Sequence, residues 1–349
     1  MASNIKKIFY IEPQLDGTAS HIADRRSDIA MTRSAPDNEV ECWAEMKGSH
    51  GYHVAARTEL QPPWFPDAEL IARSPSLLAV CSLGAGYDVI DVEACTRAGI
   101  IVCNQAGANK EAVAEHTLGF MLNLSKQITK TDRLMRREAN LDRFKHVGHD
   151  VFGKTVGIIG LGNIGTRVAE LCSGLFKMPV LAYDPYLTST QISARGATKG
   201  ELDELLARSD FVTMHCPRTS ETRNMMSYDQ FTRMKPSAFF LNTSRGGTYS
   251  EEGLAKALQE QRIAGAAIDV FVDEPPSTNH PLMAFDNVIV TPHIAGITHD
   301  ALSNLAAQSA EQWIDIFDGK VPPRLINREA WPKYAERFEK ILGFRPSAI

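Results

Sequence analysis

One stretch of the chain decides the fold class: Thr155-Val156-Gly157-Ile158-Ile159-Gly160-Leu161-Gly162-Asn163-Ile164-Gly165. A short apolar strand runs directly into a Gly-x-Gly-x-x-Gly loop, and a helical pattern follows at residues 167–172. The first glycine permits a tight turn, the second lets the backbone approach a pyrophosphate, and the third lets the helix pack closely on the strand. Free N–H groups at the helix N-terminus favour an anion there. The stretch therefore predicts dinucleotide binding by Gly160, Gly162, Asn163, Ile164 and Gly165.

An acidic residue further along the chain indicates which dinucleotide binds. Asp184 closes the apolar segment 180–183 and lies 19 residues after Gly165 (184 − 165 = 19). A carboxylate at this position accepts hydrogen bonds from the ribose hydroxyls and repels a 2′-phosphate. Because no arginine adjoins Asp184 in sequence, we predict NAD (NADH) rather than NADP. The alternative is a surface aspartate that begins an Asp-Pro turn.

Outward from the glycine loop, short apolar strands alternate with helical patterns, as is typical of α/β architecture with parallel sheets. The block after residue 154 contains six candidate strands, which match a doubly wound nucleotide-binding sheet. The first hundred residues form a second, less regular block with three candidate strands and a helix at 89–98. The nine predicted strands are 5–11, 77–81, 100–103, 155–159, 180–183, 211–215, 238–242, 265–269 and 288–290.

The glycine loop lies in mid-chain, with about 150 residues before it, and this position suggests an inserted domain. A long helical pattern at 110–137 precedes the loop, and another at 300–317 follows the last strand. The tail at 321–349 has no strand of its own, so we expect it to return to the first domain. The predicted fold is α/β with two doubly wound domains. A Rossmann domain for NAD at 105–298 is inserted in a flavodoxin-like substrate-binding domain formed by 1–104 and 299–349.

Composition excludes several classes of function. The chain has 349 residues and a net charge of −5, without the basic patch that nucleic acid or an anionic membrane requires. Its longest apolar runs are strand-sized, and its first residues carry no secretory signal. The six cysteines are scattered without a Cys-x-x-Cys pair, which argues against a metal site or a disulfide framework. We therefore expect a cytoplasmic protein that binds neither nucleic acid, membrane nor metal.

Three polar segments, 241–247, 269–276 and 291–296, each follow a predicted strand. The loops after parallel strands gather at the carboxyl edge of the sheet, beside a bound dinucleotide. Reduction of a 2-oxo acid needs a group to hold the carboxylate and a proton donor for the developing alkoxide. Arg245 can hold a carboxylate through its planar fork. His293 is a natural acid–base group near neutral pH, and Glu274 could orient it.

Each of these residues also has an ordinary structural explanation. His293 is one of ten histidines, but it stands between Pro292 and a small-residue turn after a strand. The alternative for Arg245, which is flanked by small residues, is that it does no more than donate hydrogen bonds to loop carbonyls. The alternative for Glu274 is an exposed turn residue. Nothing in the sequence pairs three further histidines with chemistry, and we interpret them as structural: His116, His146 and His149.

These segments, together with the glycine loop and Ser82-Leu83-Gly84-Ala85-Gly86-Tyr87-Asp88, resemble the D-isomer-specific 2-hydroxyacid dehydrogenase family. The resemblance extends from about residue 77 to 319. It implies that Arg245 binds the substrate carboxylate and carbonyl oxygen, and that His293 is the general acid/base with Glu274 as its partner. It also implies that the loop of Gly84, Ala85 and Gly86 binds the substrate carboxylate through backbone amides. The small-molecule substrate would be a 2-oxo or 2-hydroxy acid.

The same resemblance implies further cofactor contacts and a homodimer. Asp269 would lie against the nicotinamide half of NAD, and the turn His215-Cys216-Pro217 against the adenosine half. Thr243, Ser244, His293 and Gly296 complete the predicted cofactor residues. An alternative function is an NAD(H)-sensing scaffold like the C-terminal-binding-protein corepressors, which resemble this family. The particular acid is left open: Arg57 could meet a phosphate, whereas the apolar segment 61–66 would suit a bulkier substrate if it bordered the cleft.

Overall fold

The computed structural model describes residues 5–11, 17–35, 37–55 and 59–349. The chain divides into two compact units, one formed by Met1–Asn109 with His299–Ile349 and the other by Lys110–Thr298. The first division lies five residues beyond the one expected from the sequence (109 − 104 = 5). The reason is that residues after 104 still bond within the first unit, as the amide of Gln105 does to the carbonyl of Gly84 (2.9 Å).

In the N-terminal part of the first unit, strands and short helices alternate. The described elements there are β1 Lys6–Ile11, α1 Thr18–Ala23, β2 Ile29–Ser34, α2 Glu39–Gly48, β3 Gly51–Val54, α3 Ala68–Arg73, β4 Ala79–Ser82, α4 Val92–Ala98 and β5 Ile101–Cys103.

The strands of this unit form one parallel sheet in the order β2-β1-β3-β4-β5, which is the flavodoxin-like order. The predicted fold class is therefore confirmed for this unit. Two of its strands, β2 and β3, were missed by the sequence analysis. Strand β2 lies at the edge of the sheet with only its two ends buried, and β3 has four residues including a histidine. Neither gives the apolar signal of a central parallel strand.

The second unit contains a longer series of strands and helices. Its described elements are α5 Lys110–Lys126, α6 Ile128–Met135, β6 Val156–Ile159, α7 Asn163–Phe176, β7 Val180–Tyr183, α8 Ser189–Ala194, β8 Thr198–Lys199, α9 Leu202–Arg208, β9 Phe211–Met214, α10 Tyr228–Arg233, β10 Phe239–Asn242, α11 Glu251–Gln259, β11 Gly265–Ile268 and β12 Val288–Val290, with 3₁₀ turns at Arg143–Lys145 and Pro281–Ala284.

Its sheet is parallel and has the order β12-β11-β10-β9-β6-β7-β8. The strand order reverses between β6 and β9, which is the switch point of a Rossmann sheet. The Rossmann prediction is thus confirmed. Six strands were predicted here, and the seventh is β8, which has only two residues at the sheet edge and so gives no periodic signal. Strands β6 and β9 are buried throughout, as expected for strands covered on both faces.

The long helix predicted at 110–137 is two helices in the structure. The break is at Gln127, whose φ of 55° lies in the left-handed region. Asn123 stabilises the break, because its side-chain oxygen accepts a hydrogen bond from the Thr129 amide (2.8 Å) and its side-chain nitrogen donates to the Thr129 hydroxyl (2.7 Å). These bonds replace helical ones. The second helix, α6, has no buried residue.

Two helices near the C-terminus complete the first unit: α12 His299–Phe317 and α13 Trp331–Leu342, the latter preceded by a 3₁₀ turn at Arg328–Ala330. Between them, Asn327 attaches the chain to β5, since its side chain accepts from the Val102 amide (2.7 Å) and donates to the Ile100 carbonyl (3.0 Å). No helix in the described part of the chain has the length and hydropathy that crossing a membrane requires.

Candidate active site

The three polar segments singled out in the sequence lie at neighbouring positions on one edge of the second unit. They follow β10, β11 and β12, which are adjacent and parallel in the sheet. The carboxyl ends of these strands therefore point the same way, and their loops meet. The glycine loop follows β6 at the same edge, separated from β10 by β9 alone.

His293 and Glu274 are in direct contact. Nδ1 of His293 lies 2.8 Å from Oε2 of Glu274, and Oε1 of Glu274 accepts a hydrogen bond from the Phe271 amide (2.9 Å). Burial acts to raise the pKa of the Glu274 carboxyl, but the hydrogen bond and charge of His293, together with the Phe271 amide and the charge of Arg245, hold this pKa below its usual value. An ionised Glu274 accepts a hydrogen bond from a protonated Nδ1, so Nε2 of His293 is the nitrogen left for chemistry.

The backbone at His293 is held in an uncommon conformation. Its φ is 55°, in the left-handed region that residues with a side chain rarely adopt. Asp269 holds this turn: its carbonyl accepts from the His293 amide (2.8 Å), and its carboxylate accepts from the amides of Ile294 (2.9 Å) and Ala295 (3.0 Å). The Thr291 hydroxyl adds a fourth bond to Asp269 (2.5 Å). Asp269 is completely buried, so its observed function is to shape the turn that carries His293.

Arg245 lies on a turn that Asn242 organises. The side-chain oxygen of Asn242 accepts from both the amide (2.9 Å) and the hydroxyl (2.7 Å) of Ser244. The Arg245 carbonyl accepts from the Thr248 hydroxyl (2.7 Å). The charge of Arg245 also contributes to lowering the pKa of Glu274, and the residue after it, Gly246, lies against the backbone of the Glu274 loop at Phe271. The structure therefore brings together the three residues that the sequence selected.

The loops that carry Arg245 and Glu274 touch through their backbones. At Gly246, an added Cβ would lie 1.7 Å from the Phe271 carbonyl oxygen and 2.7 Å from the Val272 amide. No side chain fits in this space, because real Cβ atoms do not approach closer than 3.0 Å. The absence of a side chain at Gly246 is thus what allows the two loops to lie side by side.

The glycine loop has the geometry that its sequence predicts. Gly160 has a φ of 90°, and an added Cβ at Gly165 would lie 2.2 Å from the Gly160 carbonyl oxygen. By contrast, nothing lies within 4 Å of an ideal Cβ on Gly162, which is the N-cap of α7 and is exposed together with Asn163; Ile164 is half-buried. The first and last glycines are needed for the fold, whereas the space at Gly162 is open to a ligand.

The remaining predicted cofactor residues border this loop or the neighbouring turns. Asp184 accepts from the Leu161 amide through Oδ2 (3.0 Å) and from the Tyr186 amide through Oδ1 (3.1 Å), so it both supports the glycine loop and begins an Asp-Pro turn. In the turn that follows β9, burial lowers the pKa of His215 to about 3 and raises that of Cys216 to about 11. This turn, which ends at the exposed Pro217, is therefore uncharged near neutral pH.

A cavity of about 400 Å³ opens beside the N-terminus of α7. None of the three cations around it, Lys110, Arg167 and Arg195, was predicted from the sequence to belong to the site. Arg195 donates to the Leu161 carbonyl, and Arg167 pairs with Glu111 (2.7 Å) and Glu170 (2.9 Å). No arginine adjoins Asp184 in sequence, but the fold brings Arg195 to Leu161, the same loop residue that Asp184 contacts. The cavity is lined by Lys110, Gly162, Asn163, Thr166, Arg167, Glu170 and Arg195.

In the first unit, the loop of Gly84, Ala85 and Gly86 is fixed by its carbonyl groups. The Gly84 carbonyl accepts from the Gln105 amide (2.9 Å), the Ala85 carbonyl from the Asn104 side chain (2.7 Å), and the Gly86 carbonyl from the Ser82 hydroxyl (2.5 Å). Within the described residues, no hydrogen bond from the amides of Ala85 and Gly86 is present. These amides can therefore donate to an anion.

The sequence analysis missed the contribution of α5. From the sequence, His116 was interpreted as a structural residue. Its Nε2 lies 3.3 Å from the hydroxyl of Thr291, and this hydroxyl donates a hydrogen bond to Asp269. Burial lowers the pKa of His116, with the charge of Asp269 opposing this in part. The next residue, Thr117, contacts the Thr243 hydroxyl (3.2 Å); Thr243 and Ser244 are buried and Gly296 is half-buried. Helix α5 thus supports two of the loops, which no local pattern signals.

Comparisons with known proteins show which proteins this chain is similar to. A family model described as "D-isomer specific 2-hydroxyacid dehydrogenase, NAD binding domain" matches residues 118–295. A D-3-phosphoglycerate dehydrogenase of Archaeoglobus fulgidus is 40% identical over 261 residues, which are 75% of this chain and 49% of the relative. The chain thus spans about half the length of that dehydrogenase.

Two further relatives are covered over most of their length. A glyoxylate reductase of Thermofilum pendens is 38% identical over 269 residues, or 75% of this chain and 78% of the relative. The crystal structure of a D-lactate dehydrogenase from Aquifex aeolicus, complexed with NAD and lactic acid, has a TM-score of 0.75 at 27% identity. The match covers 90% of this chain and 96% of the lactate dehydrogenase chain.

Proposed function

Because this chain belongs to the D-isomer-specific 2-hydroxyacid dehydrogenase family, we propose that it catalyses hydride transfer between NAD(H) and C2 of a small 2-oxo or 2-hydroxy acid. The observation that carries this proposal is the 2.8 Å contact between His293 and Glu274, with Arg245 on the adjacent loop at the edge of an NAD-binding domain. NAD, when bound, supplies or accepts the hydride. The protein must then bind the carboxylate and move one proton.

His293 is the general acid/base of the proposed reaction. In the reductive direction, its Nε2 gives a proton to the carbonyl oxygen as that oxygen gains charge, and takes it back in the oxidative direction. Glu274 accepts the hydrogen bond from Nδ1 and stabilises the imidazolium that exists when both ring nitrogens carry protons. The lowered pKa of Glu274 keeps it ionised for this purpose.

Arg245 binds the substrate carboxylate and polarises its carbonyl oxygen. A guanidinium can make two parallel hydrogen bonds to a carboxylate, which fixes the orientation of a small acid. In the first unit, the amides of Ala85 and Gly86 are the groups that we assign to the substrate carboxylate. We accordingly assign substrate binding to the first unit, residues 1–109 and 299–349, and NAD binding to the second, residues 110–298.

The residues around the glycine loop fit a dinucleotide. The open space at Gly162 and the N-terminus of the 14-residue helix α7 suit a pyrophosphate. Each carboxylate oxygen of Asp184 accepts one backbone bond and keeps a lone pair for a ribose hydroxyl, which supports a preference for NAD. The other residues assigned to the cofactor are Gly160, Asn163, Ile164, Gly165, His215, Cys216, Pro217, Thr243, Ser244, Asp269, His293 and Gly296.

The substrate is a small acid such as glyoxylate, hydroxypyruvate or pyruvate. The apolar segment 61–66 does not argue for a bulkier one, because Trp64 and Pro66 are buried within the first unit and the Trp64 carbonyl accepts from the Tyr52 hydroxyl (2.8 Å). Arg57, a candidate phosphate ligand, lies outside the described residues. A steady-state screen of NADH oxidation with these acids and phosphohydroxypyruvate tests the proposal. Tight NADH binding without turnover of any acid would favour the corepressor-like scaffold instead.

We also propose that the protein is a homodimer in the cytoplasm. All six cysteines are free, as expected in a reducing compartment. Large apolar side chains are exposed along residues 128–152, where an isolated monomer would leave them in water. Sedimentation velocity of the wild type and of Phe144→Asp tests the dimer, which this substitution should weaken. The exposed residues are Ile128 (55%), Met135 (72%), Phe144 (74%), Val147 (69%) and Phe152 (66%).

A further inference from the structure

Glu274 lies on a loop, residues 270–280, that has no regular secondary structure between β11 and the 3₁₀ turn Pro281–Ala284. We call it the 270–280 loop. The Glu274 carboxylate accepts a hydrogen bond from the Phe271 amide (2.9 Å) and also contacts His293. The position of Glu274 therefore depends on where the backbone at Phe271 and Val272 is held. Two residues outside the catalytic set hold it.

The first is Glu251, in the first turn of α11. Its Oε1 accepts a hydrogen bond from the Val272 amide (2.8 Å), one residue from the amide that Glu274 uses. Its side chain is 22% exposed. A carboxylate in the first turn of a helix is favoured by the helix dipole. Glu251 thus ties the 270–280 loop to a helix that is anchored in the core through Leu254, Ala257 and Leu258.

The second is His280, at the other end of the same loop. Its Nε2 lies 3.2 Å from Oε2 of Glu251, and its Nδ1 accepts from the Leu282 amide (3.3 Å). Because Nδ1 is an acceptor, the ring proton is on Nε2 and is donated to Glu251. The ring also packs edge-on against Phe271, with 5.2 Å between centroids. One carboxylate therefore joins both ends of the loop.

We propose that Glu251 and His280 are positioning residues for Glu274, acting through the backbone at Phe271 and Val272. Neither touches His293. Their effect is on the distance and direction of the Glu274–His293 hydrogen bond, and a displacement of about 1 Å in such a geometry can cost on the order of 100-fold in rate. This inference rests on the proposed function for its kinetic consequence, but the structural link from α11 to the loop is independent of the reaction.

Glu251→Ala removes both contacts and should lower kcat by about 10- to 100-fold, with the KM for the 2-oxo acid and the affinity for NADH changed less than about twofold. Glu252→Ala is the matched control. It removes a neighbouring first-turn carboxylate that is exposed, and it should leave kcat unchanged. Equal kcat values for Glu251→Ala and Glu252→Ala would overturn the proposal.

A double-mutant cycle separates positioning from general damage. If Glu251 acts only through Glu274, then Glu251→Ala should change kcat by less than about twofold in a Glu274→Gln background. If the reductions in kcat caused by the two single substitutions multiply in the double variant, Glu251 has another, merely structural role. If instead His293→Ala keeps wild-type turnover, the proposed function fails and not this inference.

Hydrogen exchange gives a test that does not need turnover. The amides of residues 271–274 should exchange at least about tenfold faster in Glu251→Ala than in Glu252→Ala, because their bridge to α11 is lost. His280→Gln, whose amide can replace Nε2 toward Glu251, should retain slow exchange. His280→Asn, whose amide can replace only Nδ1, should not. Identical exchange in both His280 variants would overturn the assigned bridge.

Discussion

Replacing Gly246 with alanine should separate the loops that carry Arg245 and Glu274. The new Cβ would lie 1.7 Å from the Phe271 carbonyl oxygen, whereas the shortest distance that real Cβ atoms tolerate is 3.0 Å. One backbone must therefore move by at least 1.3 Å (3.0 − 1.7). The neighbouring atoms are backbone atoms of Phe271 and Val272, so no flexible side chain can absorb the displacement.

The size of the effect follows from this displacement. A misplacement of about 1 Å between reacting groups can cost on the order of 100-fold in rate, and overpacking of this kind costs about 1–3 kcal/mol of stability. Gly246→Ala should therefore remain folded and lose about 100-fold in kcat. Its affinity for NADH should fall far less than kcat, because the glycine loop that we assign to the pyrophosphate follows a different strand, β6.

The assay is steady-state NADH oxidation with the best acid of the screen, together with urea unfolding and a fluorescence titration of NADH. Gly174→Ala is the control: it lies within α7 with nothing within 4 Å of its ideal Cβ. It should gain roughly 0.5–1 kcal/mol in stability at unchanged activity. A folded Gly246→Ala variant with wild-type kcat would refute the contact between the two loops.

Three further changes test single residues. His293→Ala should lower kcat by about 10²- to 10⁴-fold while NADH affinity in a fluorescence titration stays close to that of the wild type; comparable activity would exclude His293 as the acid/base. Asp184→Ala should lower the ratio of kcat/KM with NADH to that with NADPH by about tenfold, because a charge-assisted hydrogen bond and a repulsive charge are lost; an unchanged ratio would assign the preference to another residue. Because the folded-state pKa of Glu274 is lowered, its ionised form stabilises the protein above its ordinary pKa, and this stabilisation is lost as the pH falls through the lowered value. Glu274→Gln should thus be less stable at neutral pH and show a weaker loss of stability on acidification in urea unfolding, and parallel curves for both proteins would contradict the lowered pKa.

The sequence predicted best where periodicity and motif agree. In the second unit, all six predicted strands are present within one residue at each end, because central parallel strands are buried on both faces and give continuous apolar runs. The edge strands β2 and β8 were missed, since half-exposed or two-residue strands lack that signal. The break at Gln127 was also missed, because a side chain one turn away, Asn123, stabilises it.

The candidate site was predictable only in part. Arg245, Glu274 and His293 could be selected because each follows a strand of a parallel sheet, and such loops must converge. Residues on helices gave no such indication. His116 lies in the middle of α5, and Glu251 begins α11 like many other acidic residues in first turns. Their contacts with the catalytic loops depend on how these helices pack, which local sequence does not encode.

The sequence by itself determined the fold class, the dinucleotide loop and the chemical type of the three polar side chains, because strand periodicity, glycine spacing and side-chain chemistry are local properties. Only the tertiary structure decided which atoms meet. It paired Nδ1 of His293 with Glu274 and used the buried carboxylate of Asp269 to hold the His293 turn. It also brought the loop of Arg245 against the loop of Glu274 at Gly246, where no side chain stands between the two backbones. These contacts join residues on different strands, so they exist only after the sheet has set the strands side by side.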